Sequence, residues 1–280
     1  MIRVELVKLF RRPRTYITTG LLCGLPFVVA VFLATTRIPP PPGQGGAFLN
    51  AVLGNGALYP AAAMALVMPV FLPVSVAVLA GDAVAGEAST GTLRYLLARP
   101  VGRTRLLVAK LVALVVFVLF AIGAVVLTSY LTGIALFGSQ PADAAPGQVA
   151  LPADVTSLSG STITPAGLAL RLVGTIAYIV VSMLGVAAIA LFLSTVTDSA
   201  LGAAMGALAL LITSQVLVTL DAAASIRPYL PTRYWLAWID FFRDPVLWRD
   251  IERGAGLQLA YLVVLLGAAW ANFMTRDVTS

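Results

Sequence analysis

The chain has 280 residues, of which 60% are hydrophobic and only 11% are charged. A water-soluble domain carries roughly a quarter of its residues as Asp, Glu, Lys and Arg, so this composition excludes an ordinary soluble fold and indicates a membrane protein. The net charge of +6 comes from 18 basic and 12 acidic residues scattered between uncharged stretches, which excludes a nucleic-acid binder and points instead to membrane topology.

Residues 1–14 form the first predicted element, an amphipathic helix lying in the membrane interface. At helical spacing the segment has an apolar face and a charged face: Ile2, Leu6, Leu9 and Phe10 on the one, and Glu5, Lys8 and Arg12 on the other. A basic tail that only sets the topology of the chain is the alternative.

Six uncharged runs are long enough to cross a bilayer as helices. We therefore predict an all-α membrane protein, organised as one transmembrane domain over residues 1–280. The six predicted spans are Tyr16 to Thr36, Pro60 to Ala80, Leu111 to Leu131, Leu172 to Leu193, Ala200 to Leu220 and Leu257 to Met274.

Residues 81–105 form a short excursion between the second and third spans. Leu93, Leu96 and Leu97 form an apolar ridge, and Pro100 ends the helix because the residue before a proline is biased away from helical dihedral angles. A short helix with an exposed leucine ridge, held just below the membrane, is suited to a groove on a partner protein.

The distribution of Lys and Arg predicts the orientation. With six spans both termini share a side, and that side holds the basic N-terminus, the arginines of residues 94–105 and Arg276. The positive-inside rule makes this side cytoplasmic. The loop before the last span also carries five arginines, so an odd number of spans stays an alternative.

Residues 221–254 separate the fifth and sixth spans. The stretch from Tyr234 to Phe242 is rich in aromatic residues but too short to cross. It predicts a re-entrant or interfacial helix pair at headgroup depth, broken at Pro245, on the extracellular side. A surface helix that anchors the last span is the alternative.

The predicted spans contain no ionisable residue, which disfavours an ion-coupled transporter. The chain has one cysteine, Cys23, and no histidine, so no internal disulfide and no Cys/His metal site can form. A phosphate-binding loop of the form GxxxxGK[ST] is also absent, so we expect no catalytic residues and no cofactor in this chain. Mild polar residues could line a path for an amphipathic cargo: Ser75, Tyr178, Ser182, Thr213, Ser214 and Gln215.

Residues 81–110, GDAVAGEASTGTLRYLLARPVGRTRLLVAK, resemble the signature of ABC-2 type transporter permeases. The match comprises an acidic residue after the second span, a Gly-Glu pair, Gly-Thr-Leu, a Leu pair, a Pro, an Arg and a closing Lys. These are Asp82, Gly86, Glu87, Gly91, Thr92, Leu93, Leu96, Leu97, Pro100, Arg103 and Lys110.

The resemblance implies that this segment is the coupling helix that docks on a separate ATPase subunit, with Arg94 included among its contacts. It also implies that ATP and Mg²⁺ bind in the partner, that two permease copies pair as a homodimer or heterodimer, and that two ATPase copies bind beneath them. The expected function is export of a hydrophobic or amphipathic cargo across the plasma membrane by alternating access. A membrane scaffold that recruits a partner without carrying cargo is the competing hypothesis.

Overall fold

A computed structural model describes residues 1–36, 56–89, 91, 102–138 and 155–275. Within these ranges the chain forms eight α-helices. Their bounds are α1 Ile2–Arg11, α2 Pro13–Thr36, α3 Tyr59–Val67, α4 Phe71–Ser89, α5 Arg103–Phe137, α6 Pro165–Val196, α7 Ala200–Thr219 and α8 Trp248–Thr275.

Six of these helices, α2 and α4 to α8, are long and apolar enough to cross a membrane. They correspond one to one with the predicted spans, so the predicted class and the number of spanning helices are confirmed. Several of the helices are longer than the runs from which they were predicted, because polar residues continue the helix beyond the apolar stretch. The third, for example, begins at Arg103 rather than Leu111.

The second span was predicted wrongly in its bounds. The run from Pro60 to Ala80 is not one helix: α3 ends at Val67, a turn follows at residues 68–70, and α4 begins at Phe71. Pro69 lies in the turn, and Pro73 lies in the first turn of α4, where its missing N–H costs no helical hydrogen bond. The spanning helix therefore runs to Ser89 and includes Asp82 and Glu87.

Helices α4 and α6 form the centre of the bundle and are mostly buried, whereas α2, α7 and α8 are mostly exposed. Helix α6 packs against α4, α7 and α8, and α5 packs against α2 and α3. Gly56 and Gly133 allow the start of the α3 region to approach the backbone of α5, because a Cβ at either position would overlap the other segment. The exposed apolar surface on the outer helices matches the requirement of a bilayer environment.

Both ends of the described chain lie at the same end of the bundle. There α1 contacts the last turns of α4 and the first turns of α5, and the side chain of Asn272 near the end of α8 donates a hydrogen bond to the carbonyl of Thr195 at the end of α6, over 2.7 Å. We call this the charged end. The opposite end, formed by residues 221–247 and the ends of the helices that they connect, is called the loop end.

Two connections form most of the loop end. Residues 155–163 contain a two-stranded antiparallel hairpin, β1 Val155–Thr156 and β2 Thr162–Ile163. In place of the helix pair predicted within 221–254, the structure has three short 3₁₀ segments, Asp221–Ala223, Arg227–Tyr229 and Ala237–Phe242, before α8 begins at Trp248.

Candidate functional site

The charged end holds a buried ion-pair network centred on Glu87. Lys110 donates to one carboxylate oxygen of Glu87 over 2.6 Å, and Lys8 donates to the other over 2.9 Å. Lys8 also contacts Glu5 at 3.1 Å, and Lys110 lies 3.8 Å from Glu5. Glu87 is 7% exposed and Lys110 is 3% exposed. Two carboxylates and two ammonium groups thus compensate each other where α1, α4 and α5 meet.

Lys8 is held in its charged form by this network. Burial acts to lower the pKa of Lys8, but the hydrogen bonds and negative charges of Glu87 and Glu5 outweigh it, so its pKa lies above the ordinary value of 10.5. A cation with a raised folded pKa contributes stability that is complete below its unfolded pKa and is lost as the pH rises through the folded pKa. The contribution of Lys8 is therefore constant through the neutral range and decreases only in strong alkali.

A second ion-pair group lies one turn earlier on α4. Arg12 contacts the Asp82 carboxylate at 2.9 Å, and Arg14 donates to the same oxygen. Gly86 follows Asp82 by one turn, and a Cβ at Gly86 would overlap the Asp82 carboxylate. The glycine therefore leaves room for the carboxylate that ties the junction of α1 and α2 to α4.

The hydroxyl of Ser194 on α6 inserts into the backbone of α4. It donates to the carbonyl of Gly81 over 2.6 Å and accepts from the N–H groups of Val84 and Ala85 at 3.1 and 2.9 Å. Insertion of a side chain into the hydrogen-bond ladder of a helix is one of the known causes of helix kinks. Gly81 also lies against the backbone of Ala204 on α7, where a Cβ would be only 2.8 Å from the Ala204 nitrogen.

Arg103 connects the start of α5 to the end of the last helix. Its guanidinium donates to the carbonyls of Phe273 and Met274 over 3.1 and 2.9 Å. A cationic side chain is favourable there because the last carbonyls of a helix lack intrahelical donors and carry a partial negative charge. The neighbouring Thr104 accepts a hydrogen bond from the Trp270 indole over 3.0 Å. The return from residues 81–105 is thus fixed to α8.

Only some of the predicted coupling residues lie in the part of the chain that the structure describes. Asp82, Gly86 and Glu87 lie together on α4, Gly91 has a φ of 70° just beyond its end, and Arg103 lies at the start of α5. The left-handed φ at Gly91 suits glycine, and its N–H donates to the Ala88 carbonyl over 3.0 Å. Six predicted residues lie outside the described ranges: Thr92, Leu93, Arg94, Leu96, Leu97 and Pro100.

The residues predicted to line a cargo path do not converge on one channel. Most make local or interhelical hydrogen bonds, while Thr213 is exposed on the surface of α7. Ser75 donates to Phe71, Ser182 donates to Tyr178, Tyr178 donates to the carbonyl of Tyr234, and Ser214 shares a hydrogen bond with Thr232. Of the six, only Gln215 lines the large cavity of the loop end.

That cavity has a volume of about 620 Å³ and lies between the start of α4, the outer half of α7 and residues 232–240. Its wall is mainly apolar and includes Val74, Leu211 and Ile212, with Asp240 and Asp250 among its few charged residues. A concave, mostly apolar cavity with a few polar groups is typical of a small-molecule site. Among the described residues, no group of three or more His, Cys, Asp or Glu could hold a metal ion.

Several residues of the charged end were missed by sequence reasoning. The predicted amphipathic helix has Glu5 and Lys8 on its charged face without a partner for either, and no sequence pattern indicates a role for Ser194. The only available signal was reciprocal charge: an acidic residue at each of positions 82 and 87 near the end of a predicted span, with basic residues in the N-terminal helix. That pattern does not specify which residues pair, because the contacts join segments up to 79 positions apart.

Six helices that can cross a membrane and a largely exposed apolar surface define an integral membrane protein. Residues 11–234 match the family model described as ABC-2 family transporter protein. The chain belongs to this family. No curated protein sequence gives a significant match. The matched range includes Asp82, Glu87 and Arg103 but not Glu5 or Lys8.

Proposed function

We propose that this chain is the permease subunit of an exporter that moves a hydrophobic or amphipathic cargo by alternating access. Membership of the family indicates a membrane transport subunit that works with an ABC ATPase. In the proposed assembly, two permease copies pair in the plasma membrane and two ATPase subunits bind at the charged end. ATP and Mg²⁺ are bound and used in the ATPase, because this sequence contains no phosphate-binding loop.

The observation that carries the proposal is the network formed by Glu5, Lys8, Glu87 and Lys110. It joins three structural elements on both sides of residues 81–105: α4 leads into that segment, α5 leads out of it, and α1 lies across both. A displacement applied to the segment is therefore transmitted to the base of α4 and α5 together. Buried ion pairs suit this purpose because their geometry is fixed, whereas apolar contacts permit sliding.

The Ser194 contact supplies the next step of the proposed mechanism. Because the Ser194 hydroxyl bonds the backbone of α4 between Gly81 and Ala85, we propose that α4 hinges there, between its charged end and its outer part. Movement at the base of α4 then changes the angle between the two parts and the packing of α4 against α6 and α7. Such a hinge is one of the known ways in which domain-scale rearrangements begin.

The charge distribution supports a cytoplasmic location for the charged end. The described residues at this end include eight basic side chains. They are Arg3, Lys8, Arg11, Arg12, Arg14, Arg103, Arg105 and Lys110. Under the positive-inside rule, both termini then face the cytoplasm, where an ATPase would find its nucleotide.

The proposal is tested by ATP hydrolysis in the reconstituted complex. We expect Leu93→Asp to lower permease-stimulated hydrolysis at least fivefold, because a carboxylate would replace an apolar side chain predicted to enter a groove of the ATPase. Leu220→Asp is the matched control, since Leu220 is an exposed leucine at the loop end. Both variants must insert into the membrane in normal amounts. Unchanged stimulation in Leu93→Asp would contradict the proposed coupling site.

Glu87→Lys is a second variant, and it tests the internal ion-pair network. The structure places Glu87 inside the chain between two lysines, so this substitution would break the internal network, whereas the family resemblance implies a direct contact of Glu87 with the ATPase. We expect it to lower stimulated hydrolysis together with the stability of the permease. Loss of hydrolysis with unchanged permease stability would favour the direct contact instead.

A further inference from the structure

We propose that the outward face of α1 is a binding site for an anionic phospholipid in the membrane leaflet at the charged end. This outward face consists of Arg3, Val4, Val7 and Arg11. The site goes beyond the transport function and does not depend on it. Three properties of α1 lead to this assignment: its unpaired charges, its exposed valines and its depth.

The basic residues in 1–14 divide into a paired and an unpaired group. Three of them are held in the ion pairs of the charged end, namely Lys8, Arg12 and Arg14. Arg3 and Arg11 are both exposed, and neither has an ion pair or a hydrogen bond within the described part of the chain. Glu5 is the only acidic residue of this segment, and it is buried beside Lys8 and Lys110. The outward face therefore carries two positive charges and no acidic group from its own helix.

Two exposed valines lie between these arginines. Arg3, Val7 and Arg11 follow one another at intervals of four residues, which places them along one side of the helix. Val4 lies on the same side, and both valines are 51% exposed. The open groove that these residues line along α1 also includes Lys8, Arg12 and Pro13. Apolar side chains flanked by arginines are typical of helices that bind the surface of anionic membranes.

The last turn of α1 lies beside the apolar part of α5. The ring of Phe10 packs edge-on against that of Phe120, with 5.4 Å between the ring centroids. Phe120 lies ten residues beyond Lys110, the last charged residue of α5, and this is a distance of about 15 Å along a helix. Helix α1 is therefore held against the spanning helices where headgroups meet acyl chains, and its outward face meets lipid there.

The charge of the outward face selects the headgroup. An arginine guanidinium binds a phosphate through two parallel hydrogen bonds, so the two unpaired arginines suit a lipid phosphate. A zwitterionic lipid also brings an ammonium group, for which this face offers no carboxylate. Each basic residue near an anionic membrane surface strengthens binding by about fivefold. The valines favour a lipid over a free phosphate, because only the lipid brings acyl chains to bury them.

The test measures lipid preference next to α1 in phosphatidylcholine vesicles that contain the full-length chain. In a Cys23→Ala background, a fluorescent label is placed on Val7→Cys. Quenching by brominated phosphatidylglycerol is compared with quenching by brominated phosphatidylcholine at the same mole fraction. We expect the label to report a preference of at least about fivefold for the anionic lipid. A label on Leu201→Cys should report none, because Leu201 is 72% exposed at the same end of the bundle but does not line the groove.

Substitution of the arginines identifies the groups that select the lipid. The double variant Arg3→Gln with Arg11→Gln should lower the preference to less than about twofold, and each single variant should give an intermediate value. Arg249→Gln with Arg253→Gln is the matched control, because both arginines are exposed on α8 at the loop end. This control should leave the preference unchanged. Melting temperatures verify that each variant is folded.

Dissolved glycerol phosphate distinguishes a lipid from a free phosphate. It carries the same phosphate chemistry without acyl chains, so we expect an excess of it to leave the quenching at position 7 unchanged. A decrease in quenching would assign the outward face to a free phosphate and overturn the inference.

The inference is also overturned by equal quenching with the two lipids at position 7, by the same preference at positions 7 and 201, or by an unchanged preference in the double variant. If the double variant also loses co-purification with the ATPase while its lipid preference is unchanged, the outward face binds an acidic surface of that partner instead. Because the vesicles contain no ATPase, the lipid measurement stands or fails independently of the proposed transport function.

Discussion

Glu87 and Lys110 show how single residues determine the behaviour of the charged end. Both side chains are removed from water, and each has the other as its closest charged partner, at 2.6 Å. A buried pair adds little net stability compared with an apolar pair, but removal of one member leaves the other charge uncompensated. The two residues are therefore much less tolerant of single substitution than of simultaneous exchange.

Lys110→Met should destabilise the solubilised chain by about 3 to 5 kcal/mol, because the Glu87 carboxylate would lose its most buried counter-charge. The charge exchange Glu87→Lys with Lys110→Glu restores the opposite charges of this pair but sets Lys8 against a lysine and Glu5 against a glutamate, so it should recover only part of this loss. Chemical denaturation followed by circular dichroism measures both. An exchanged variant that is no more stable than Lys110→Met would show that the pairing is not what matters.

The sequence singled out Glu87 but did not reveal which residues pair with it. The resemblance to the family motif selected Asp82, Gly86 and Glu87, and the structure brings these three together on one helix. The sequence could not show that Lys8 reaches Glu87, because the pairing depends on how α1 lies across α4 and α5. Contacts between distant segments are determined by packing, which local periodicity does not encode.

At the scale of elements, helix α4 is held in shape by the side chain of another helix. Ser194→Ala removes a hydroxyl that makes three hydrogen bonds to the α4 backbone, and we expect a loss of about 1 to 3 kcal/mol. Ser182→Ala is the control, because Ser182 lies on α6 like Ser194 but its hydroxyl bonds only to the carbonyl of Tyr178, one turn away. Equal melting temperatures of the two variants would contradict a special role for Ser194.

Helix α1 buries residues from both of the faces that its amphipathic pattern predicts. Glu5 and Leu9 are buried against the bundle, while Val4 and Val7 are each 51% exposed. Ion pairing to α4 and α5 explains the difference, because the charged face gains partners inside the protein that an isolated interfacial helix would not have. The predicted location of α1 at the membrane surface stays a prediction, now with Val4 and Val7 as the residues that would enter the lipid.

This orientation predicts which side of α1 contacts lipid. In a Cys23→Ala background, a fluorescent label on Val7→Cys should be strongly quenched by brominated lipids, because its side chain faces away from the bundle. A label on Lys8→Cys serves as the control, since Lys8 points towards Glu87 and is only partly exposed. Stronger quenching at position 8 than at position 7 would contradict the orientation of α1 in the structure.

At the scale of the whole molecule, the number of spanning helices was predictable and the break near the second span was not. A helix that crosses a bilayer needs a long uncharged segment, so the six segments could be located from hydropathy along the sequence. The turn at residues 68–70 lies inside an apolar run, where hydropathy does not change, and prolines are tolerated in spanning helices as well as at their ends. Only the packing of α3 against α5 distinguishes a broken run from a continuous helix that contains prolines.

The same limit applies to the cavity of the loop end. It is formed by α4, α7 and residues 232–240, which are distant in sequence, and only Gln215 among the predicted path residues lines it. The hydroxyl groups of Ser75 and Ser182 hydrogen-bond to a carbonyl one turn away and do not line this cavity. The acidic residues that distinguish the cavity lie in the loop before the last helix and at its start, outside the predicted spans.

The central claim is that an ATPase acts on this permease at its charged end. A photo-crosslinking amino acid placed at Leu93, within the predicted coupling segment, tests the claim most directly, with the same probe at Tyr229 as the control on the loop end. After irradiation of cells and purification of the permease, we expect an adduct with an ATP-hydrolysing subunit from position 93 and none from position 229. An adduct from position 229 alone, or no ATPase adduct from position 93, would contradict the account.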